Sequence, residues 1–165
     1  MVERLQQNFI PEHYDLFLHV VPFQNLVEGR VSINFKKNQD SDLIELHVGQ
    51  NIDIKTITQN GKTFEYIINN SKLIIQKPAN QEFDFSEYPI IINYTIEPSH
   101  YKKEGIYMHR GNYLTQLEPN YARQLFPCFD EPCIRSTYTV TIKIPSNLTG
   151  ISNMPVDKVE EEEKE

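Results

Sequence analysis

Apolar and polar positions alternate with period two along most of this chain, and helical spacing is nearly absent. The clearest early case runs Tyr14, Leu16, Leu18 and Val20 on one face against Asp15, Phe17 and His19 on the other, ending at Pro22. Val31, Ile33 and Phe35 predict a second strand with the same inward face. Leu43 to Val48 and Ile52 to Thr58 predict two more. Asn60-Gly61 then offers the positive φ angles of a two-residue hairpin turn, with Phe64 to Ile68 as the returning strand. The cluster Asn69-Asn70-Ser71 makes a further turn into Leu73 to Gln76, and Pro78 ends that meander.

Residues 79 to 89 read as a loop with Phe83, Phe85 and Tyr88 as packing points. Ile90 to Ile96 is apolar enough to be a strand buried on both faces, hence central in a sheet. Gly105 to His109 and Tyr113 to Glu118 flank a hairpin turn at Arg110-Gly111-Asn112. Tyr138, Val140, Ile142 and Ile144 alternate with Thr137, Thr139, Thr141 and Lys143 in a last strand, ended by Pro145. So many short strands predict an all-β antiparallel sandwich, or a pair of saddle-shaped curved sheets.

The length of 165 residues with 39% hydrophobic content fits one domain with a substantial core. Residues 1–156 form that expected domain, and 157–165 an acidic tail. The tail holds six acids and two lysines, so it supplies −4 of the formal charge of −7 and leaves the body mildly acidic. No basic stripe with interleaved aromatics occurs, which argues against nucleic acid as a partner. The amino terminus carries Glu3 and Arg4 and lacks a signal-peptide core, and no apolar run approaches the roughly twenty residues of a membrane span. A cytoplasmic setting is the resulting expectation, with Cys128 and Cys133 as free thiols. Glycosylation triplets at Asn69, Asn93 and Asn147 weigh less than the absence of a leader, because a chain this rich in Asn, Ser and Thr forms them by chance.

Between Tyr113 and Pro132 the chain reads YLTQLEPNYARQLFPCFDEP. Thr115-Gln116-Leu117-Glu118, the pair Ala122-Arg123 and the turn Phe126 to Pro132 together resemble the amino-terminal domain of the zinc aminopeptidases of the aminopeptidase N family, which includes the puromycin-sensitive enzymes. Pro11 with Tyr14-Asp15-Leu16, Glu28-Gly29, Ile44 to His47, Gly105-Ile106-Tyr107 and Ser152-Asn153-Met154 match the same family, so the likeness runs from Pro11 to Pro155.

The residues make chemical sense apart from that likeness. In an extended strand Gln116 and Glu118 share a face, and an ionised carboxylate is a natural acceptor for a free α-ammonium group. The resemblance implies that Glu118 helps hold the substrate's α-amine and that Gln116 lines the pocket for its first side chain. Arg123, Asp130 and Glu131 read as structural support: a tight Pro-bounded turn needs its polar groups paired, and Arg with Asp makes a two-pronged bridge.

The family's H-E-x-x-H zinc motif and its Gly-x-Met-Glu-Asn element do not occur in this sequence, and no two of its five histidines have the four-residue spacing. The expectation is a substrate-anchoring domain that binds no zinc and is inactive alone, its parent acting on peptide amino termini with zinc held in a separate catalytic domain. The family domain continues past the Ser-Asn-Met element with strands that close its sheet. Their replacement by an acidic run implies an unpaired strand edge, open to self-association or to docking on a catalytic domain. The competing expectation is a free-standing, non-catalytic β-sandwich interaction module derived from the family.

Overall fold

The alternating pattern becomes strands almost position for position in the computed structural model, which describes residues 4–79, 81–85 and 87–161. β1 (Phe9–Val21) buries Tyr14, Leu16, Leu18 and Val20, and β2 (Leu26–Lys37) buries Val27, Val31, Ile33 and Phe35 on the same side. The two form a long antiparallel hairpin whose register shifts between Pro11 and His13, beside a proline that has no amide to give the ladder. A short 3-10 turn at Pro22–Gln24 and a left-handed Asn25 reverse the chain.

The remaining strands are β3 (Leu43–His47), β4 (Ile52–Gln59), β5 (Lys62–Thr63), β6 (Glu65–Asn69), β7 (Lys72–Gln76), β8 (Ile90–Ile96), β9 (Gly105–His109), β10 (Asn112–Gln116) and β11 (Thr137–Lys143). A six-stranded sheet has the order β11-β1-β2-β8-β4-β5, a three-stranded sheet the order β3-β7-β6, and β9 and β10 form a separate hairpin. Tyr14, Ile33, Ile92 and Tyr94 from the large sheet share one apolar core with Ile44, Leu46, Leu73 and Ile75 from the small one. The all-β sandwich is therefore present, with open sheets.

Three two-residue hairpin loops have both central residues at positive φ: Asn60–Gly61 (48° and 73°), Asn70–Ser71 (49° and 62°) and Arg110–Gly111 (51° and 81°). This geometry matches the right-handed twist of the flanking strands, so the Asn and Gly residues at these points set the register. Gly29 serves a different need. A Cβ there would lie 2.3 Å from the Tyr94 ring, so only glycine lets β2 and β8 approach across that ring.

Four expectations are corrected. Only the start of Phe64 to Ile68 returns along β4: the Phe64 amide donates to the Ile57 carbonyl at 2.9 Å while its ring packs in the core against Phe83, and β6 then leaves to pair with β7. β8 is central, but only one of its faces is buried; Ile91, Asn93 and Thr95 are half-buried on the other, where the Asn93 amide donates to Thr56 Oγ1 at 2.9 Å. The large sheet is mixed, because β11 runs parallel to β1 from His13–Thr137 to His19–Lys143. Lastly, Tyr138, Val140 and Ile142 remain 53%, 44% and 36% exposed, since β11 is an edge strand.

The loop after β7 packs as expected through Phe83 and Phe85, which touch Phe9, Phe35 and Phe64. Tyr88 contributes its carbonyl rather than its ring. The buried Gln59 amide donates to the Asp84 and Tyr88 carbonyls at 2.8 and 2.9 Å, tying the loop to the end of β4. Residues 145–161 form no strand and leave Ile151, Met154, Val156 and Val159 exposed. No helix of the described residues is long and apolar enough to cross a membrane.

Candidate functional site

The β9–β10 hairpin ends with Gln116 paired to Gly105, and the chain then turns. Glu118 thus lies beyond the strand, not in it as its spacing suggested, at the start of a turn closed by the Tyr121 amide donating to the Leu117 carbonyl at 2.9 Å. Gln116 and Glu118 are both exposed, and the Gln116 amide donates to the main-chain carbonyl of Glu118 at 3.4 Å. Among the described residues the Glu118 carboxylate has no hydrogen-bond or ion-pair partner. It borders a shallow concavity of about 380 Å³ shared with Pro119, Cys128, Asp130, Glu131 and Tyr138.

The other carboxylates of this concavity are engaged. Asp130 Oδ2 accepts from Arg123 Nε at 2.8 Å and from the Arg123 amide at 3.2 Å, while Arg123 Nη2 donates to the Asp130 carbonyl at 3.3 Å. With Asp130 largely buried, this clamp fixes residues 123 and 130 against each other. Glu131 turns elsewhere: its Oε1 accepts from the Leu5 amide at 2.8 Å and its Oε2 lies 3.8 Å from Cys133 Sγ. Glu131 therefore ties the turn to the amino-terminal segment, whereas Arg123 and Asp130 tie it to the turn that follows Glu118.

The floor is built from distant parts of the chain. The Phe129 amide donates to Tyr14 Oη at 3.0 Å, and the Tyr14 ring stacks on Tyr138 at 5.1 Å and meets Phe126 edge-on at 5.6 Å. Burial raises the Tyr14 phenol far above its ordinary range and pushes Tyr138 up to about 12, so both stay neutral. Burial also raises the Cys128 thiol, with Asp130 adding to the effect, which makes it an inert packing group; Cys133 is a free, exposed thiol.

From β3 onward, His47 to Asn51 grips the same loop. His47 and Cys128 exchange main-chain hydrogen bonds of 2.8 and 3.1 Å, the Gly49 amide donates to the Arg123 carbonyl at 2.6 Å, and the Asn51 amide donates to the Gln124 carbonyl at 2.9 Å. Gly49 is required by this closeness, because a Cβ would lie 2.8 Å from the Arg123 oxygen. Sequence reading missed these residues. Their partners are defined only by the folded chain, and the single local signal was a glycine just past a strand.

Among the described residues no three His, Cys, Asp or Glu side chains cluster as metal ligands. The donor set of the described residues therefore does not fit a zinc ion.

An exposed carboxylate thus lies on a concavity braced by an Arg–Asp clamp, just past the end of a β-hairpin. The chain belongs to the peptidase M1 N-terminal domain family, whose profile matches residues 10–165. It is 31% identical over 156 residues to "Probable aminopeptidase 1" of Sulfurisphaera tokodaii, covering 92% of this chain and 18% of that protein. It is 28% identical over 170 residues to "Aminopeptidase N" of Lactobacillus delbrueckii subsp. lactis, covering 96% of this chain and 19% of that one. Its fold is similar to an M1 zinc metallopeptidase of Deinococcus radiodurans solved with a Tyr-Ser-Ala substrate, at a TM-score of 0.71 and 21% identity, over 86% of this chain and 34% of that one. The chain thus spans less than a fifth of the length of these curated relatives.

Proposed function

We propose that this chain is the substrate-anchoring domain of a zinc metalloaminopeptidase that removes residues from peptide amino termini. One observation carries the reading: Glu118 presents a carboxylate without a partner among the described residues, on a concavity whose other acids are already engaged. A carboxylate in that state is available to an incoming ammonium group, and a charge-assisted hydrogen bond to it distinguishes a free amino terminus from an internal peptide bond. The family likeness assigns Gln116, two residues before Glu118 and exposed, to the pocket for the first side chain. Arg123 and Asp130 hold the turn, and Glu131 fastens it to the amino-terminal segment. The names of the relatives support the substrate class. Alone, the chain anchors substrate and catalyses nothing, the zinc chemistry belonging to a catalytic domain in the same polypeptide.

The test is made in the full-length gene product. Glu118→Ala lowers kcat/KM for peptides with a free amino terminus by about 1.5–3 kcal/mol, roughly 10- to 150-fold, the size of a hydrogen bond to a charged group. Unchanged kinetics remove Glu118 from the site.

A second reading rests on β11, whose outer edge is unpaired among the described residues and whose apolar residues are half exposed. Such an edge supports self-association, or docking to a catalytic domain by an interaction module. Light scattering across a concentration series tests the first: a monomer at high concentration removes self-association.

A further inference from the structure

His47 is 5% exposed, and it makes contact with the site from the far side of the turn that forms the floor. Its Nδ1 lies 3.2 Å from the Asp130 amide, which can only donate, so Nδ1 is the acceptor and the proton of the neutral ring sits on Nε2. Asp130 is also the residue whose carboxylate receives both the amide and the guanidinium of Arg123. Arg123 lies in the short 3-10 turn Ala122–Gln124, which directly follows the turn begun by Glu118. A continuous series of hydrogen bonds and short chain links therefore runs from the His47 ring to the exposed carboxylate.

We propose that His47 is a positioning residue for the amine-binding carboxylate: by accepting the Asp130 amide at Nδ1, it sets Asp130 for Arg123 and so fixes the turn that presents Glu118. The proposal rests on the reading of Glu118 as the amine anchor. A ring that accepts through Nδ1 cannot be replaced by an apolar side chain of similar size, because the Asp130 amide would then be left unpaired. Asparagine can replace it in this one respect, since its Oδ1 stands at the same bond distance from the backbone as Nδ1.

The groups that face the ring are consistent with a neutral acceptor. Arg123 lies on the site side and Lys72 on β7, against the carboxylates of Asp130 and Glu131, and burial together with Arg123 outweighs the two acids in keeping the ring unprotonated. A proton on Nδ1 would set one donor against another at the Asp130 amide and break the series at its first link.

Nitrogen NMR on the uniformly labelled chain tests the geometry. The expected result is an unprotonated Nδ1 at pH 7 with a direct nitrogen–nitrogen coupling to the Asp130 amide. His47→Leu is expected to speed exchange of that amide at least tenfold and to shift the Glu118 and Arg123 amide signals, and His47→Asn to restore both. A protonated Nδ1, equal effects of the two variants, or unmoved Glu118 signals would overturn the proposal. If His47→Leu does not fold, the wild-type coupling and the Asn variant still decide.

In the full-length gene product, His47→Leu is expected to raise KM for free amino-terminal peptides at least fivefold with a smaller change in kcat, with Asn close to wild type. An unchanged KM overturns the positioning role. Glu118→Ala measured alongside separates the two readings: if it alone is without effect, the amine-anchor reading fails, while the NMR result judges the His47 linkage by itself.

Discussion

The Tyr14 hydroxyl accepts a hydrogen bond from the Phe129 amide at 3.0 Å, joining β1 to the Pro-bounded turn 115 residues later. Both groups are buried, so neither can turn to water when the other is removed. Tyr14→Phe keeps the ring stacked on Tyr138 but leaves the Phe129 amide unpaired. The expected cost is about 1–3 kcal/mol, read as a lower urea midpoint with an unchanged slope. A midpoint equal to wild type would mean that the amide finds another acceptor.

Gly29 and Tyr94 make a second pair in which one residue exists for the other. Gly29→Ala sets a methyl 2.3 Å from ring carbons of Tyr94, a buried side chain on β8 between β2 and β4. The expected loss is about 1–3 kcal/mol or more, the range for overpacking a core. The Tyr94 hydroxyl has no hydrogen-bond partner among the described residues. Tyr94→Phe is therefore expected to be neutral or mildly stabilising, and Tyr94→Phe with Gly29→Ala should remain close to Gly29→Ala, because the closest contacts are ring carbons. Thermal denaturation of the three variants gives the comparison.

His47 sets a pH dependence whose sign follows from its burial. Its ring is lowered from 6.5 to about 4 in the folded chain, through burial first and Arg123 second, against the opposing pull of Asp130 and Glu131. Between those values the unfolded chain binds a proton that the folded chain refuses. The contribution to stability is whole above pH 6.5 and is lost progressively as pH falls toward 4, by up to about 3 kcal/mol. Urea midpoints of wild type and His47→Asn between pH 7.5 and 4.5 check this: wild type should lose stability relative to His47→Asn as the pH falls. A constant difference would assign the acid sensitivity to other groups.

What was legible in the sequence, and what was not, follows from what period-two alternation encodes. It fixes which face of a strand is buried, and it placed β1 and β2 with their inward faces, while turn residues placed the Asn60–Gly61 hairpin and, one residue too long because Asn112 opens β10, the turn at Arg110-Gly111-Asn112. It does not encode the partner of a strand. The parallel seating of β11 on β1 and the departure of β6 to the small sheet depend on where Phe64 and Tyr14 find cover, which only the assembled core decides. The same division holds at the site. Gln116, Glu118, Arg123 and Asp130 lie within fifteen residues of one another and could be recognised together. His47 meets Asp130 across 83 residues, and no spacing rule could join them.

The Arg123–Asp130 clamp allows a last prediction that separates its strength from the burial of its parts. Asp130 is almost covered and Arg123 partly so, and the two share a carboxylate–guanidinium contact, an amide–carboxylate contact and a guanidinium–carbonyl contact. Removing Arg123 alone strands a buried carboxylate, and removing the Asp130 carboxylate alone strands a cation and leaves the Arg123 amide without its acceptor. Each single change, Arg123→Ala or Asp130→Ala, is expected to cost about 3 kcal/mol, near the lower end of the range for breaking a buried pair. The double variant should cost well under the sum, because the second removal no longer leaves an unpaired charge. A coupling of about 1.5–3 kcal/mol in the double-mutant cycle fits hydrogen bonds to charged groups, and additive losses would show that the two residues act on the turn independently.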